Sequence, residues 1–152
     1  MKIGGCGRSE TAGVARKIGT GYIRKMSNFP GPITAITLFV DDLPATREFY
    51  RDSIGLPVHW DDENSSVFNF SNTLINLLQS DEAPGLIAPA MVAPQAAGAR
   101  MQFTITVDDV DATAALLAER GVAMLNGPMD RPWGIRTASF VDPAGHIWEI
   151  AS

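Results

Sequence analysis

One carboxylate stands out in this chain of 152 residues. Glu149 sits in the terminal stretch Phe140-Val-Asp-Pro-Ala-Gly-His-Ile-Trp-Glu-Ile150, where apolar residues flank it at every second position. On a strand that spacing places Trp148 and Ile150 on one face and Glu149 on the other. A carboxylate beside apolar walls such as Phe39 has its pKa raised toward the range useful to a general base. No second carboxylate and no nucleophile–base pair lies near it in sequence, so the acid/base set is incomplete. A structural reading stands beside the chemical one: the amides of Gln102 and Asn76 would hold the carboxylate in a closed polar network.

A second group is Asp130, Arg131, Trp133 and Arg136, on a loop bounded by Gly127-Pro128 and Arg131-Pro132. Guanidinium pairs with carboxylate or phosphate and indole stacks, a combination suited to an anionic or aromatic ligand. The structural alternative is a rigid loop whose Trp covers the core and whose Arg pairs with Asp130. Of the two histidines, His59 reads as a surface residue beside Trp60, and His146 lies on the strand face opposite Glu149. Trp60, Asp61, Asp62 and Glu63 read as a solvated turn.

The elements that position these residues come from an internal repeat. Ile36-Thr-Leu-Phe-Val-Asp-Asp-Leu-Pro-Ala-Thr46 matches Phe103-Thr-Ile-Thr-Val-Asp-Asp-Val-Asp-Ala-Thr113 at an offset of 67. That offset is too long for a solenoid repeat and fits a duplicated half-domain. Each copy opens with an alternating strand and runs into an Asp, Asp42 or Asp109, whose carboxylate can accept from the free N–H groups of a first helical turn. Each helix stops at a glycine, Gly55 or Gly121. Short strands follow in both halves. The pattern is βαβββ twice, an α+β chain. It divides into a flexible basic extension over 1–31 and one domain over 32–152, with module one at 33–80, an Ala- and Pro-rich linker at 81–98 and module two at 99–152. Met26 directly precedes the compact region, so residues 1–25 read as an upstream addition without function.

Charge divides the same way. Lys2, Arg8, Arg16, Lys17, Arg24 and Lys25 face only Glu10 in the first segment, while the rest of the chain is acidic and has no lysine. Such a domain repels a nucleic-acid backbone. No apolar run is long enough for a membrane span. Cys6 is the single cysteine, so no intrachain disulfide forms and the cytoplasm is the expected compartment.

Three stretches, 36–58, 103–122 and 140–150, resemble the vicinal-oxygen-chelate superfamily, the glyoxalase/bleomycin-resistance/dioxygenase proteins. The resemblance implies paired modules forming a curled mixed sheet around a pocket, whose floor holds a divalent ion in metal-using members. The implied ligand positions read Ala35, Asn76, Gln102 and Glu149. Only Glu149 is a strong donor and Gln102 a weaker one, and a lone carboxylate with neutral amides competes poorly with water for a cation. Thr37, Phe39, Asn76, Gln102 and Thr104 are expected to line the pocket with Arg131, Trp133 and Arg136. The first function to consider is a metal-free protein that binds a small aromatic or anionic molecule between the modules, assembled as a homodimer. The second is a lyase, isomerase or dioxygenase dependent on a divalent metal, with Glu149 as base or ligand.

Overall fold

The computed structural model describes residues 31–152, so nearly all of the basic extension lies outside the described residues. β1 (Ala35–Val40) buries Leu38 and Val40 and half-buries Ile36. It ends where Asp42 turns the chain into α1 (Leu43–Glu48), its carboxylate accepting from Ala45 N–H at 3.0 Å. The Thr46 hydroxyl donates back to the Asp42 carbonyl at 2.7 Å. The repeat reproduces both contacts after β5 (Gln102–Thr106), where Asp109 accepts from Ala112 N–H at 2.9 Å and Thr113 donates to the Asp109 carbonyl at 2.7 Å. The two conserved spacings in the repeat are therefore one capping device used twice, each copy satisfying a free donor of a helix start.

The first helix relaxes into a π-helical turn over Phe49–Ile54 before Gly55 closes it in the left-handed conformation. The wider turn brings two consecutive aromatics to the core: Phe49 meets Phe140 at 6.1 Å between ring centroids, and Tyr50 meets Trp148 at 6.0 Å. β2 (Val58–Asp61), β3 (Ser65–Asn69) and β4 (Leu74–Gln79) complete module one. The linker carries only short turns, among them α2 (Pro84–Ile87). Module two continues with α3 (Val110–Glu119), β6 (Met124–Asp130), β7 (Arg136–Val141) and β8 (Ile147–Ala151).

Each module forms a four-stranded mixed sheet, ordered β1-β4-β3-β2 and β5-β8-β7-β6, with one parallel pair in each. The α+β class and the paired modules are as the sequence predicts. The two sheets turn their helix-side residues into one shared core that contains Leu38, Phe68, Ile75, Leu117, Phe140 and Trp148 together. The other face of each sheet lies away from that core. Trp148 joins the modules, stacking on Phe70 at 5.2 Å and packing against Phe103 at 4.7 Å. Arg120, at the end of α3, donates to the Ser53 carbonyl at 3.1 Å and so caps the exit of the first helix with a cation.

Gly127 shows how tightly β6 is held on β7. Its φ is +75°, and a Cβ built there would lie 2.5 Å from the Thr137 carbonyl oxygen and 2.8 Å from the Ala138 Cα. Backbone cannot step aside as a side chain can. Gly127→Ala is expected to cost about 1–2 kcal/mol for the left-handed conformation and about 1–3 kcal/mol more for overpacking. Urea unfolding measures the loss, and a stability equal to the parent would mean that β6 moves freely.

Candidate functional site

Strand register sets out two equivalent rows on the outer sheet faces. In module one, Thr37 lies opposite Asn76, Asn76 opposite Val67, and Val67 opposite Trp60. In module two, Thr104 lies opposite Glu149, Glu149 opposite Ser139, and Ser139 opposite Asn126. Register partners share a face, so each row is a continuous stripe across its sheet. The stripes differ in chemistry: one ends on an indole, the other is polar throughout.

Glu149 is half-buried and accepts from the Thr104 hydroxyl at 3.0 Å. The amides of Gln102 and Asn76 do not hold it. Gln102 lies opposite Ile147, two residues along the strand, and is exposed. Asn76 is on the other sheet, where its amide donates to the Thr37 hydroxyl at 3.4 Å and its side-chain oxygen is buried without a donor among the described residues. The expected network thus resolves into two Thr pairs, one per sheet. Pairing register, not strand alternation alone, decides which residue on a face meets the carboxylate.

Of the loop residues, Arg131 joins the polar stripe. Its Nε donates to the Thr137 hydroxyl at 2.7 Å and its Nη2 to the Asn126 side-chain oxygen at 3.3 Å. Arg136 is committed elsewhere: its guanidinium donates to Asp111 at 2.8 Å and to Asp130 at 2.9 Å. The hydrogen bond from Arg136 holds the Asp111 carboxyl below its ordinary range, and both aspartates raise the guanidinium in return. The pairing with Asp130 is the structural alternative read from sequence; Asp111 adds a partner from α3. Trp133 stands on the turn between β6 and β7 and is 68% exposed. The turn expected over Trp60–Glu63 begins later: Trp60 belongs to β2 and is 51% exposed at the end of the module-one stripe.

Thr37 and Phe39 also line a cavity of about 260 Å³ roofed by the linker. Thr104 lies at the border of a larger cleft, about 690 Å³, between the modules along the β1 and β5 edges; Ile36, Phe103, Ile105 and Trp148 line it. Within one chain, then, the candidate residues fall on two separate sheet faces.

At the implied positions the donor set is weak. Ala35 offers no ligand atom, Asn76 and Gln102 offer neutral amides, and Glu149 is the sole carboxylate. Among the described residues no group of three or more His, Cys, Asp and Glu side chains comes together. His59 is exposed on β2, and His146 is turned toward Asp142. These residues do not fit a divalent ion.

Residues 33–150 match the family model described as the Glyoxalase/Bleomycin resistance protein/Dioxygenase superfamily. The chain is 34% identical over 119 residues to YraH of Bacillus subtilis (strain 168), covering 76% of this chain and 93% of YraH. Its fold is similar to a glyoxalase/bleomycin resistance protein/dioxygenase from Nocardioides (24% identity, TM-score 0.71, 88% of this chain and 91% of that one). It is similar also to lactoylglutathione lyase from Agrobacterium tumefaciens (23%, 0.65, 80% and 93%). A third likeness is to TnmS3, an antibiotic binding protein from Streptomyces sp. CB03234 (24%, 0.61, 80% and 95%).

Proposed function

Because this chain belongs to the glyoxalase/bleomycin resistance protein/dioxygenase superfamily, we propose that it binds a small aromatic, anionic molecule without a metal, in a cup that two copies of the chain build together. The observation that carries this reading is the pair of equivalent but unlike stripes. Thr37, Asn76 and Trp60 form one wall, with Phe39 beside them. Thr104, Glu149, Ser139 and Asn126 form the other, with Gln102 beside them and Arg131 laid across. An indole wall stacks a ring, Arg131 meets an anionic substituent, and Glu149 accepts from a ligand O–H or N–H. Trp133 is placed at the rim. Arg136 positions that rim through its two aspartates.

Dimerisation is supported by the sheet edges. β1 and β5 end their sheets, and Ile36, Phe103 and Ile105 are only half-buried beside them. An apolar edge left in water invites pairing with another chain. A two-fold arrangement would set the module-one face of each copy against the module-two face of the other. TnmS3 supports the binding reading as a protein of like fold described as antibiotic-binding. No helix among the described residues is long and apolar enough to cross a membrane. We assign the protein to the cytoplasm, with no nucleic-acid partner because of its acidic domain.

A second reading, a lyase, isomerase or dioxygenase dependent on a divalent metal, keeps Glu149 as base or ligand. It is favoured by the half-buried carboxylate with Thr104 as its side-chain donor. Elemental analysis and thermal-shift titration with Mn²⁺, Ni²⁺, Zn²⁺ and Fe²⁺ separate the two. The expected result is no retained ion and no shift, with aromatic acids or antibiotics raising the melting point instead. A ligand at a hundred times its Kd stabilises by about 2.7 kcal/mol. One tightly held ion per chain, lost in Glu149→Ala, would overturn the metal-free reading.

A further inference from the structure

The proposed cup leaves His146 unused, yet His146 is held as a working base is held. Its Nδ1 lies 2.9 Å from Asp142 Oδ2, and Asp142 is 3% exposed. The same oxygen accepts from the Tyr50 hydroxyl at 2.7 Å, and Trp148 Nε1 donates to that hydroxyl at 2.8 Å. Asp142 Oδ1 accepts the backbone N–H groups of Ala144 and His146 at 3.0 and 2.8 Å. A carboxylate is an acceptor, so a neutral imidazole that hydrogen-bonds to it through Nδ1 carries its hydrogen there and leaves the lone pair on Nε2. Nε2 has no hydrogen-bond partner among the described residues.

His146 lines the 260 Å³ cavity under the linker. At roughly 30 Å³ per water the volume is that of about nine waters, below the roughly 300–1,000 Å³ of pockets for drug-sized molecules. It admits a single ring. Phe39, Val92, Pro94 and Met101 give it an apolar wall, and Thr37 and Arg100 stand among the polar lining residues. Gln95 packs on Gly145, close enough that a Cβ there would meet the Gln95 Cγ at 2.9 Å, so the linker is seated on the turn that carries His146.

We infer that this cavity is a second small-molecule site, adjoining the cup at Thr37 and Phe39, which takes a phenol-class ligand and in which His146 Nε2 accepts the phenolic proton. The O–H bond breaks and an Nε2–H bond forms. The imidazolium is balanced by Asp142 and the phenolate by Arg100. Nothing is oxidised or reduced, and the exchange needs no co-reactant.

The test uses the full chain with 4-nitrophenol, whose ionised form has its own absorbance band. The expected result is saturable binding that produces the ionised spectrum at a pH where the free probe is mostly neutral, with the His146 ring resonances moving in step. His146→Asn keeps the backbone N–H to Asp142 and should lose the ionised spectrum and about tenfold in affinity. His59→Asn, at a residue that belongs to neither site, should change neither. Ala93→Trp, which alters only the linker wall, should abolish binding while the Nδ1–H tautomer persists in nitrogen-resolved NMR spectra. The inference is overturned by an Nε2–H tautomer in the free protein, by equal binding in His146→Asn, or by no saturable binding. Trp60→Ala removes the cup's share of the probe and the His146 resonances report this cavity, so failure of either site is read separately.

Discussion

Asp142→Ala is expected to lower stability by about 3–5 kcal/mol, because several donors lose one buried acceptor together and each stranded donor costs about 1–3 kcal/mol. The carboxylate accepts from the Tyr50 hydroxyl, the His146 ring and two backbone N–H groups, at distances between 2.7 and 3.0 Å. Alanine would leave all of these donors without a partner, the Tyr50 hydroxyl among them fully buried. The cost also falls between modules, since Tyr50 comes from the first and Asp142 and Trp148 from the second. Urea unfolding followed by tryptophan fluorescence measures it, and a loss below about 1 kcal/mol would mean that water replaces the carboxylate. Tyr50→Phe is the milder probe, at about 1–3 kcal/mol, because it strands the Trp148 N–H and one carboxylate lone pair. It carries a pH signature as well. Burial first, and the Asp142 charge second, push the Tyr50 hydroxyl far above its ordinary value. The folded phenol therefore stays neutral while the unfolded one ionises near pH ~10. The stability it contributes is fully present below that pH and falls above it, by up to ~1.4 kcal/mol per pH unit. Tyr50→Phe should flatten this alkaline limb.

The repeat made the paired modules legible, because duplication leaves identical residues at one offset and the capping chemistry of Asp42 and Asp109 is local. Face assignment was legible too: Leu38, Ile75, Trp148 and Ile150 are buried as alternation requires. What alternation could not supply was register. Thr104, not Gln102, meets Glu149 because β5 and β8 are aligned by the pairing of strands more than forty positions apart. The same limit hid Asp111 as the partner of Arg136, since a helix and a strand had to be brought together first. Trp60 was missed for a different reason. Three acidic residues follow it, and a charge run reads as a turn, yet the strand runs through Asp61 before Asp62 accepts from Asn64 N–H at 2.8 Å and turns the chain. An exposed indole at the end of a strand, next to a turn-forming Asp, was the signal available.

Mixing two inactive variants should restore binding if the cup is built across chains. Trp60→Ala removes the aromatic end of the module-one stripe, and Glu149→Gln removes the carboxylate of the module-two stripe. Each homodimer then carries the same damage in both of its cups, and each should lose about ten- to hundredfold in affinity for a ligand found by the thermal screen. A dimer with one copy of each variant is different. One cup joins the two altered walls, and the other joins the intact module-one face of the Glu149→Gln copy to the intact module-two face of the Trp60→Ala copy. With random exchange about half of the dimers are mixed, so roughly a quarter of all cups regain parental affinity. Titration calorimetry reads that fraction directly as stoichiometry, and gentle denaturation and refolding of the mixture supplies the exchange. A cup within one chain predicts the opposite, because every chain in the mixture remains damaged and no high-affinity sites return. Leu116→Asp offers an independent check, since Leu116 is 43% exposed on α3 beside the cleft. A buried charge there should dissociate the dimer and abolish binding together, although Leu116 lies on neither stripe. Loss of the dimer with binding retained would place the whole site within one chain.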